Sequence, residues 1–371
     1  MKQIGIICSG IILALVSCTF TKTLVYNSVN ISDYKIFKNR TVRTGNPQLW
    51  AIHEDYNKHD IPSGYLAEID NIGTVAYLVV CKGKILHEEY WDGYDKDSYS
   101  NSFSMAKSFV SLLIGFAIDD GYIQNTDQKV CDFIPEYAKD ERSGIAIKDL
   151  LTMSSGLYFG ESYGSPFSRT ARVYYGRNMY RIIKNLKLKD EPGTKFSYSS
   201  GDTQVLAFVL EKATGKTLSD YASEKLWIPL GANHDALWCL DKKNGHEKAY
   251  CCFNSNARDF ARIGQLILQN GKWNGKQLIS EQYLRQSLTP ASYLKIGEHN
   301  VDFYGFQWWL MDYKDMKVTY ARGLLGQYII IIPDRELVIV RLGHHRSKQT
   351  RNGIPEDLFM WMDIALGMTG G

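Results

Sequence analysis

The sequence predicts an α+β fold: an antiparallel sheet flanked by helices, a mainly helical subdomain, and an active site in the cleft between them. Three observations carry that expectation. β-Branched, apolar runs lie near both ends, at 74–91 and 303–342. Between about 120 and 300 the apolar residues recur at helical spacing instead. An apolar helix also begins near Met105, directly after the first pair of strands. With 371 residues, 44% hydrophobic and 22% charged, the chain has room for one large or two smaller globular domains. A net charge of +3 gives no broad basic footprint, so no nucleic-acid partner is expected.

The elements follow in order. Lys2 and the apolar stretch 4–16 form a leader too short to span a bilayer comfortably. It ends in Leu15-Val16-Ser17-Cys18, which resembles the bacterial lipoprotein cleavage box. Residues 1–18 are therefore read as a signal peptide, with Cys18 the lipidated residue that ties the chain to a membrane. A plain secretory signal is the alternative, and either places the protein outside the cytoplasm. Residues 19–62 are polar with scattered aromatics and read as a tether and N-terminal arm; 63–368 read as the folded domain. Within it, 74–80 and 85–91 are strands around a Lys82-Gly83 turn. Met105, Phe109, Leu112, Leu113 and Phe116 make a helix that Gly121 stops.

Helical segments are then expected at 147–151, 180–186, 203–213, 218–226, 257–268 and 280–287. The stretch 160–178 reads as a loop whose Tyr175 is a candidate substrate contact. Of Trp308 and Trp309, at most one can face a cleft, because they alternate across a strand. Residues 328–333 and 337–342, joined at Asp334-Arg335, form a terminal hairpin, and 355–366 a last helix. Cys8 and Cys18 belong to the leader, leaving Cys81, Cys131, Cys239, Cys251 and Cys252. A hairpin turn at Lys242-Lys243-Asn244-Gly245 sets Cys239 opposite Cys251 or Cys252, so a disulfide there is expected. Neither Cys–His metal spacing nor a Gly-rich phosphate loop occurs, so no metal or cofactor is expected. His344-His345-Arg346 read as surface-loop residues.

Ser104-Met105-Ala106-Lys107 is where chemistry concentrates. Ser-x-x-Lys spacing alone says little, since Ser32 with Lys35 and Ser292 with Lys295 repeat it. Ser104 differs in its place between a strand pair and an apolar helix, with Lys107 one turn on and on the same face. A serine hydroxyl attacks only when a neighbouring base takes its proton. The free N–H groups at a helix start suit a developing oxyanion. Two further segments could complete such a site. One is Phe196-Ser197-Tyr198-Ser199-Ser200, where Tyr198 is a second candidate base; the other is Tyr320-Ala321-Arg322-Gly323-Leu324, before the terminal hairpin.

With these boxes in this order, the chain resembles the serine β-lactamase and penicillin-recognising superfamily, with its β-lactamase/transpeptidase-like fold. It is most similar to the branch holding class C β-lactamases, family VIII carboxylesterases and 6-aminohexanoate-dimer hydrolases. The resemblance runs from about Ala67 to Gly367 and includes Leu150-Leu151-Thr152-Met153-Ser154-Ser155-Gly156-Leu157, Glu191-Pro192-Gly193, Ala257-Arg258-Asp259-Phe260-Ala261-Arg262 and Tyr304-Gly305-Phe306-Gln307-Trp308-Trp309. It implies that Ser104 is the acylated nucleophile, Lys107 its base and Tyr198 a proton shuttle. The backbone N–H groups of Ser104 and Leu324 would form the oxyanion hole, with Ser200, Arg322 and Gly323 binding substrate.

Two departures stand out. Ser200 replaces the asparagine of the Tyr-x-Asn box, and Ala321 replaces the lysine of the Lys-Thr-Gly box. The missing cation favours a small ester or linear amide over a β-lactam. The expectation is thus an extracytoplasmic, lipid-anchored serine hydrolase acting on a small molecule, with no obligate protein partner. The alternatives are a β-lactamase or DD-peptidase, and a non-catalytic penicillin-binding-like receptor.

Overall fold

The computed structural model describes residues 28–163, 165 and 167–370; the leader, with Cys8 and Cys18, lies outside them. The arm carries β1 (Lys38–Val42) and β2 (Ala51–Ile52), then α1 (Ser63–Asn71) leads into β3 (Thr74–Cys81), β4 (Lys84–Tyr90) and β5 (Ser100–Asn101). A 3-10 turn, Phe103–Met105, opens α2 (Ala106–Asp119). The helical region follows with α3 (Ile147–Leu151), α4 (Arg169–Tyr175), α5 (Met179–Lys184), α6 (Ser200–Thr214) and α7 (Leu218–Ala222). After β6 (Ala236–Leu240) and β7 (Phe253–Ser255) come α8 (Ala257–Leu268) and α9 (Glu281–Ser287). The chain closes with β8 (Trp309–Tyr313), β9 (Met316–Gly323), β10 (Gln327–Ile332), β11 (Leu337–Gly343) and α10 (Glu356–Met368).

Among the described residues the main sheet has seven strands in the order β8-β9-β10-β11-β3-β4-β2. The two sequence-distant runs therefore meet, through antiparallel pairs such as Val338↔Val80 and Val340↔Leu78. The departure from a purely antiparallel sheet is β2, which lies parallel to β4 at the edge.

Continuous apolar runs in the central strands mean that both faces are covered. Val75, Leu78, Val80, Ile329, Ile331, Val338 and Val340 face α2 and α8. Tyr77, Val79, Ile330, Leu337 and Ile339 face α10. Each fully buried branched side chain contributes about 1.5–3 kcal/mol relative to exposure. Helix α8 can sit this close because a Cβ on Gly264 would lie 2.4 Å from Val338 Cγ1. The helical region shares this core, since Ile147, Leu150, Val205, Leu206 and Val209 join the same cluster as α2 and the sheet.

From residue 28 on, the arm is bound to the domain: β1 pairs with β6 from Lys38↔Leu240 to Val42↔Ala236, and the buried Asp33 carboxylate accepts the Tyr174 hydroxyl at 2.6 Å. Two expectations need correction. The stretch 160–178 contains α4, and Tyr175 is buried on it against Phe37 and Tyr174 rather than exposed on a loop. The disulfide joins the neighbours Cys251 and Cys252, while Cys239 is a buried free thiol. Cys239 does lie opposite Cys252, donating its N–H to the Cys252 carbonyl at 3.0 Å. Its sulfur, however, takes a hydrogen bond from Asn254 Nδ2 at 3.4 Å. Burial drives the Cys239 thiol up to about 11.

Candidate active site

Ser104 sits in the 3-10 turn that opens α2, and Lys107 follows in the first turn of that helix, 1% exposed. Phe103, just before the serine, adopts a left-handed conformation with φ 44°. The Asn101 side chain holds it there by accepting the Phe103 N–H at 2.9 Å. An ammonium or amine taken this far from water must find partners, or its burial costs several kcal/mol. Lys107 has three: Ser104 Oγ at 3.2 Å, Ser200 Oγ at 3.3 Å and the Tyr250 carbonyl oxygen at 2.8 Å. The Ser-x-x-Lys pair is thus in direct contact.

Box three arrives on β9. The end of that strand packs backbone to backbone on the Ser104 turn: a Cβ on Gly323 would stand 2.2 Å from the Ser102 carbonyl oxygen. Only glycine allows that approach. Leu324 follows immediately, in a short 3-10 turn where Leu325 takes φ 63°. Strand parity, open in the sequence, is now resolved. Ala321 joins the core cluster of the Ser104 helix. Arg322 lies half-buried with its guanidinium 4.1 Å from the centroid of the Trp309 ring. Trp308 is fully buried, so Trp309 alone of that pair borders the cleft.

Tyr198 reaches the same place from the loop before α6. Its ring centroid lies 5.2 Å from Lys107 Nζ and 5.6 Å from that of Trp309. The three boxes therefore converge, but unequally. Among the described residues the Tyr198 hydroxyl makes no hydrogen bond, so phenol, amine and alcohol are not joined in one chain.

The other motif residues are scaffolding for these three. The Ser197 N–H donates to the Met153 carbonyl at 2.7 Å and the Ser155 hydroxyl to the Asp202 carboxylate at 2.9 Å, tying the 150–157 segment to the Tyr198 loop. Burial raises the Asp202 carboxyl to about 7, against the pull of its Ser155 and Ser199 donors. Gln307 links four pieces of chain. It donates to the Leu150 carbonyl at 2.9 Å, takes the Thr203 hydroxyl at 2.7 Å, and offers its own carbonyl to Ser108 on α2 at 2.7 Å; its backbone N–H reaches Leu151.

Two residues beside the site escaped the sequence reading. Tyr250 supplies the carbonyl that holds Lys107, and its ring centroid is 5.7 Å from Lys107 Nζ. Glu161 binds Ser200 twice: Oε2 accepts the backbone N–H and Oε1 the hydroxyl, each at 2.8 Å. Oε1 also accepts the Tyr163 hydroxyl at 2.5 Å. No spacing marks either residue, because their partners lie 39 and 143 positions away.

Comparison with known proteins identifies the family and the fold. The chain matches the Beta-lactamase family over residues 64–355. It is 28% identical over 296 residues to a 6-aminohexanoate-dimer hydrolase of Paenarthrobacter ureafaciens, covering 75% of this chain and 74% of that one. A solved Bacillus anthracis protein, provisionally named a 6-aminohexanoate-dimer hydrolase, superposes with a TM-score of 0.79 at 22% identity, covering 92% of each chain. A family VIII carboxylesterase superposes at 0.66 with 15% identity, covering 86% of this chain and 99% of that one.

Proposed function

The chain belongs to the Beta-lactamase family of hydrolases, and from that premise we propose that it is a serine hydrolase cleaving a small ester or linear amide through a Ser104 acyl-enzyme. The observation that carries this reading is the buried Lys107 amine in hydrogen-bond contact with the Ser104 hydroxyl. In the acylation step the Ser104 O–H proton passes to Lys107 Nζ, and Oγ bonds to the substrate carbonyl carbon. The negative charge moves to the carbonyl oxygen, which the N–H groups of Ser104 and Leu324 hold. Collapse of that intermediate expels the alcohol or amine, which takes a proton from Tyr198. Water then attacks the ester of Ser104, giving its proton to the same phenolate, and Ser104 leaves with a proton returned from Lys107. Tyr198 swings from its ring contact with Trp309 to do this; hydrogen bonds of catalytic groups commonly tighten only when substrate is bound.

The choice of a small ester or amide over a β-lactam rests on Ala321, buried where a lysine would hold a β-lactam's carboxylate. Arg322 is the nearby cation, and its guanidinium is spent on the Trp309 face. The name of the Paenarthrobacter relative points toward a linear amide. A panel of p-nitrophenyl acetate, p-nitrophenyl butyrate, a 6-aminohexanoate-type linear amide, nitrocefin and a D-Ala-D-Ala peptide tests the choice. Turnover of the first three is expected; rapid nitrocefin cleavage without ester cleavage would reverse it. We place the enzyme outside the cytoplasm on a Cys18 lipid anchor, on the strength of Leu15-Val16-Ser17-Cys18. Loss of the protein from the membrane fraction on Cys18→Ala substitution is the expected result.

A further inference from the structure

The Glu161–Ser200 pair is more than a helix cap. Ser200 is the first residue of α6, and a carboxylate on its N–H is well placed against the helix dipole. Capping explains one of the two bonds. The second, from the Ser200 hydroxyl, concerns Lys107. A serine hydroxyl has one proton to donate. Ser200 gives that proton to Glu161 Oε1, so toward Lys107 Nζ, 3.3 Å away, it can only accept. The Tyr250 carbonyl, the second partner of Lys107, is also an acceptor and nothing else.

A neutral amine has two N–H groups and one lone pair. Ser200 Oγ and the Tyr250 carbonyl take both N–H groups, and the lone pair is left on the third neighbour, Ser104 Oγ. We propose that Glu161 is a positioning residue for the acylation step: by holding the Ser200 proton, it leaves the Lys107 lone pair free for the nucleophile. The proton balance closes on both sides of the step. When the Ser104 proton moves to Lys107, the ammonium has three N–H groups and three acceptors: the departing alkoxide oxygen, Ser200 Oγ and the Tyr250 carbonyl. With Glu161 neutralised, the Ser200 hydroxyl is free to turn and donate to the same lone pair, and Ser104 loses its base. A carboxylate and a serine thus do together what the absent asparagine of the Tyr-x-Asn box cannot do here.

The inference rests on the serine-hydrolase reading above, and its test separates the two. The rate of Ser104 modification by a fluorophosphonate probe is measured against probe concentration, giving a maximal rate and a half-saturating concentration without need of the natural substrate. Glu161→Gln is expected to lower the maximal rate by about tenfold to a hundredfold while leaving half-saturation unchanged, less than the about 10²–10⁴ of a general base lost outright, because Lys107 itself remains. Ser200→Ala removes the competing hydroxyl together with one N–H acceptor of Lys107, so it should cost no more than Glu161→Gln; the double variant should be no slower than Ser200→Ala alone, since the carboxylate acts only through that hydroxyl. Ser199→Ala serves as the capping control: its hydroxyl accepts the Asp202 N–H of the same helix at 3.2 Å. That variant should melt at a lower temperature with its labelling rate intact. If Glu161→Gln behaves like Ser199→Ala, or if the Glu161 and Ser200 losses multiply, the relay is refuted and the nucleophile stands. If wild-type Ser104 takes no label, the serine-hydrolase reading itself fails and the relay with it.

Discussion

The two flanks of Ser104 are built differently. On one side Lys107 is sealed from water and held at three points, each by a residue from a different part of the chain. On the other side Tyr198 is half-buried and held by rings: Trp309 at 5.6 Å, Tyr304 at 6.3 Å, and the Arg322–Trp309 stack behind. Hydrogen bonds fix an atom to within tenths of an ångström, whereas ring contacts leave a phenol free to pivot. The contrast fits the mechanism proposed above. There, the fixed flank serves the step that always meets the same atom, the Ser104 proton. The looser flank serves the step that must first find a leaving group and then a water.

Substitution should expose this asymmetry. Lys107→Met, which keeps the volume and removes the base, is expected to cost at least about a thousandfold in p-nitrophenyl acetate hydrolysis, toward the upper end for a lost general base. Gly323→Ala attacks the junction between the flanks. Its new methyl would meet the Ser102 carbonyl oxygen at 2.2 Å and so must shift the backbone leading to Leu324, the proposed oxyanion donor; losing one such donor costs about 2.7–4 kcal/mol, about 10²–10³ in rate. Tyr198→Phe should cost about a hundredfold, with an unchanged melting temperature because the lost hydroxyl bonds nothing among the described residues. A drop in stability as large as that of a buried hydrogen bond would show that the phenol is already anchored, and the contrast would disappear.

Much of the fold was legible in the chain, and the reason is local. Helices 147–151 and 257–268 are found where their periodicity places them, since an apolar stripe on one face is written within a few turns. The central strands were legible because they are buried on both faces and so read as unbroken apolar runs. Strand β1 was not: Lys38-Asn39-Arg40-Thr41-Val42 is polar, and its partner lies some two hundred residues on. Ser104, Lys107 and Tyr198 could be picked out as a set because their order along the chain matches a family. Glu161 and Tyr250 could not, since what recruits them is a hydroxyl proton and a carbonyl lone pair, neither of which leaves a spacing. The Cys251–Cys252 bond escaped for a similar reason: strand pairing brings Cys239 opposite Cys252, but the direction of each sulfur depends on backbone angles such as φ 68° at Cys252.

The smallest expected effect lies away from the Ser104 cleft, and it tests whether the two regions are independent. His87 is buried beside Tyr77, and neither ring nitrogen makes a hydrogen bond among the described residues. Burial lowers its pKa from the ordinary value, so the unfolded chain takes up a proton before the folded one does. Its contribution to stability is therefore whole above about pH 6.5 and lost as pH falls below it. His87→Leu should narrow the gap in melting temperature between pH 7.5 and pH 5. The pH dependence of Ser104 labelling should not move.

The most direct test of the central claim is a map of where the fluorophosphonate lands. Tryptic digestion of the labelled protein should place the adduct on Ser104, within the peptide 97–107, in the wild type, with labelling slowed at least about a hundredfold in Lys107→Met. An adduct on any other serine, or equal labelling of Ser104 with and without the lysine amine, would contradict the account.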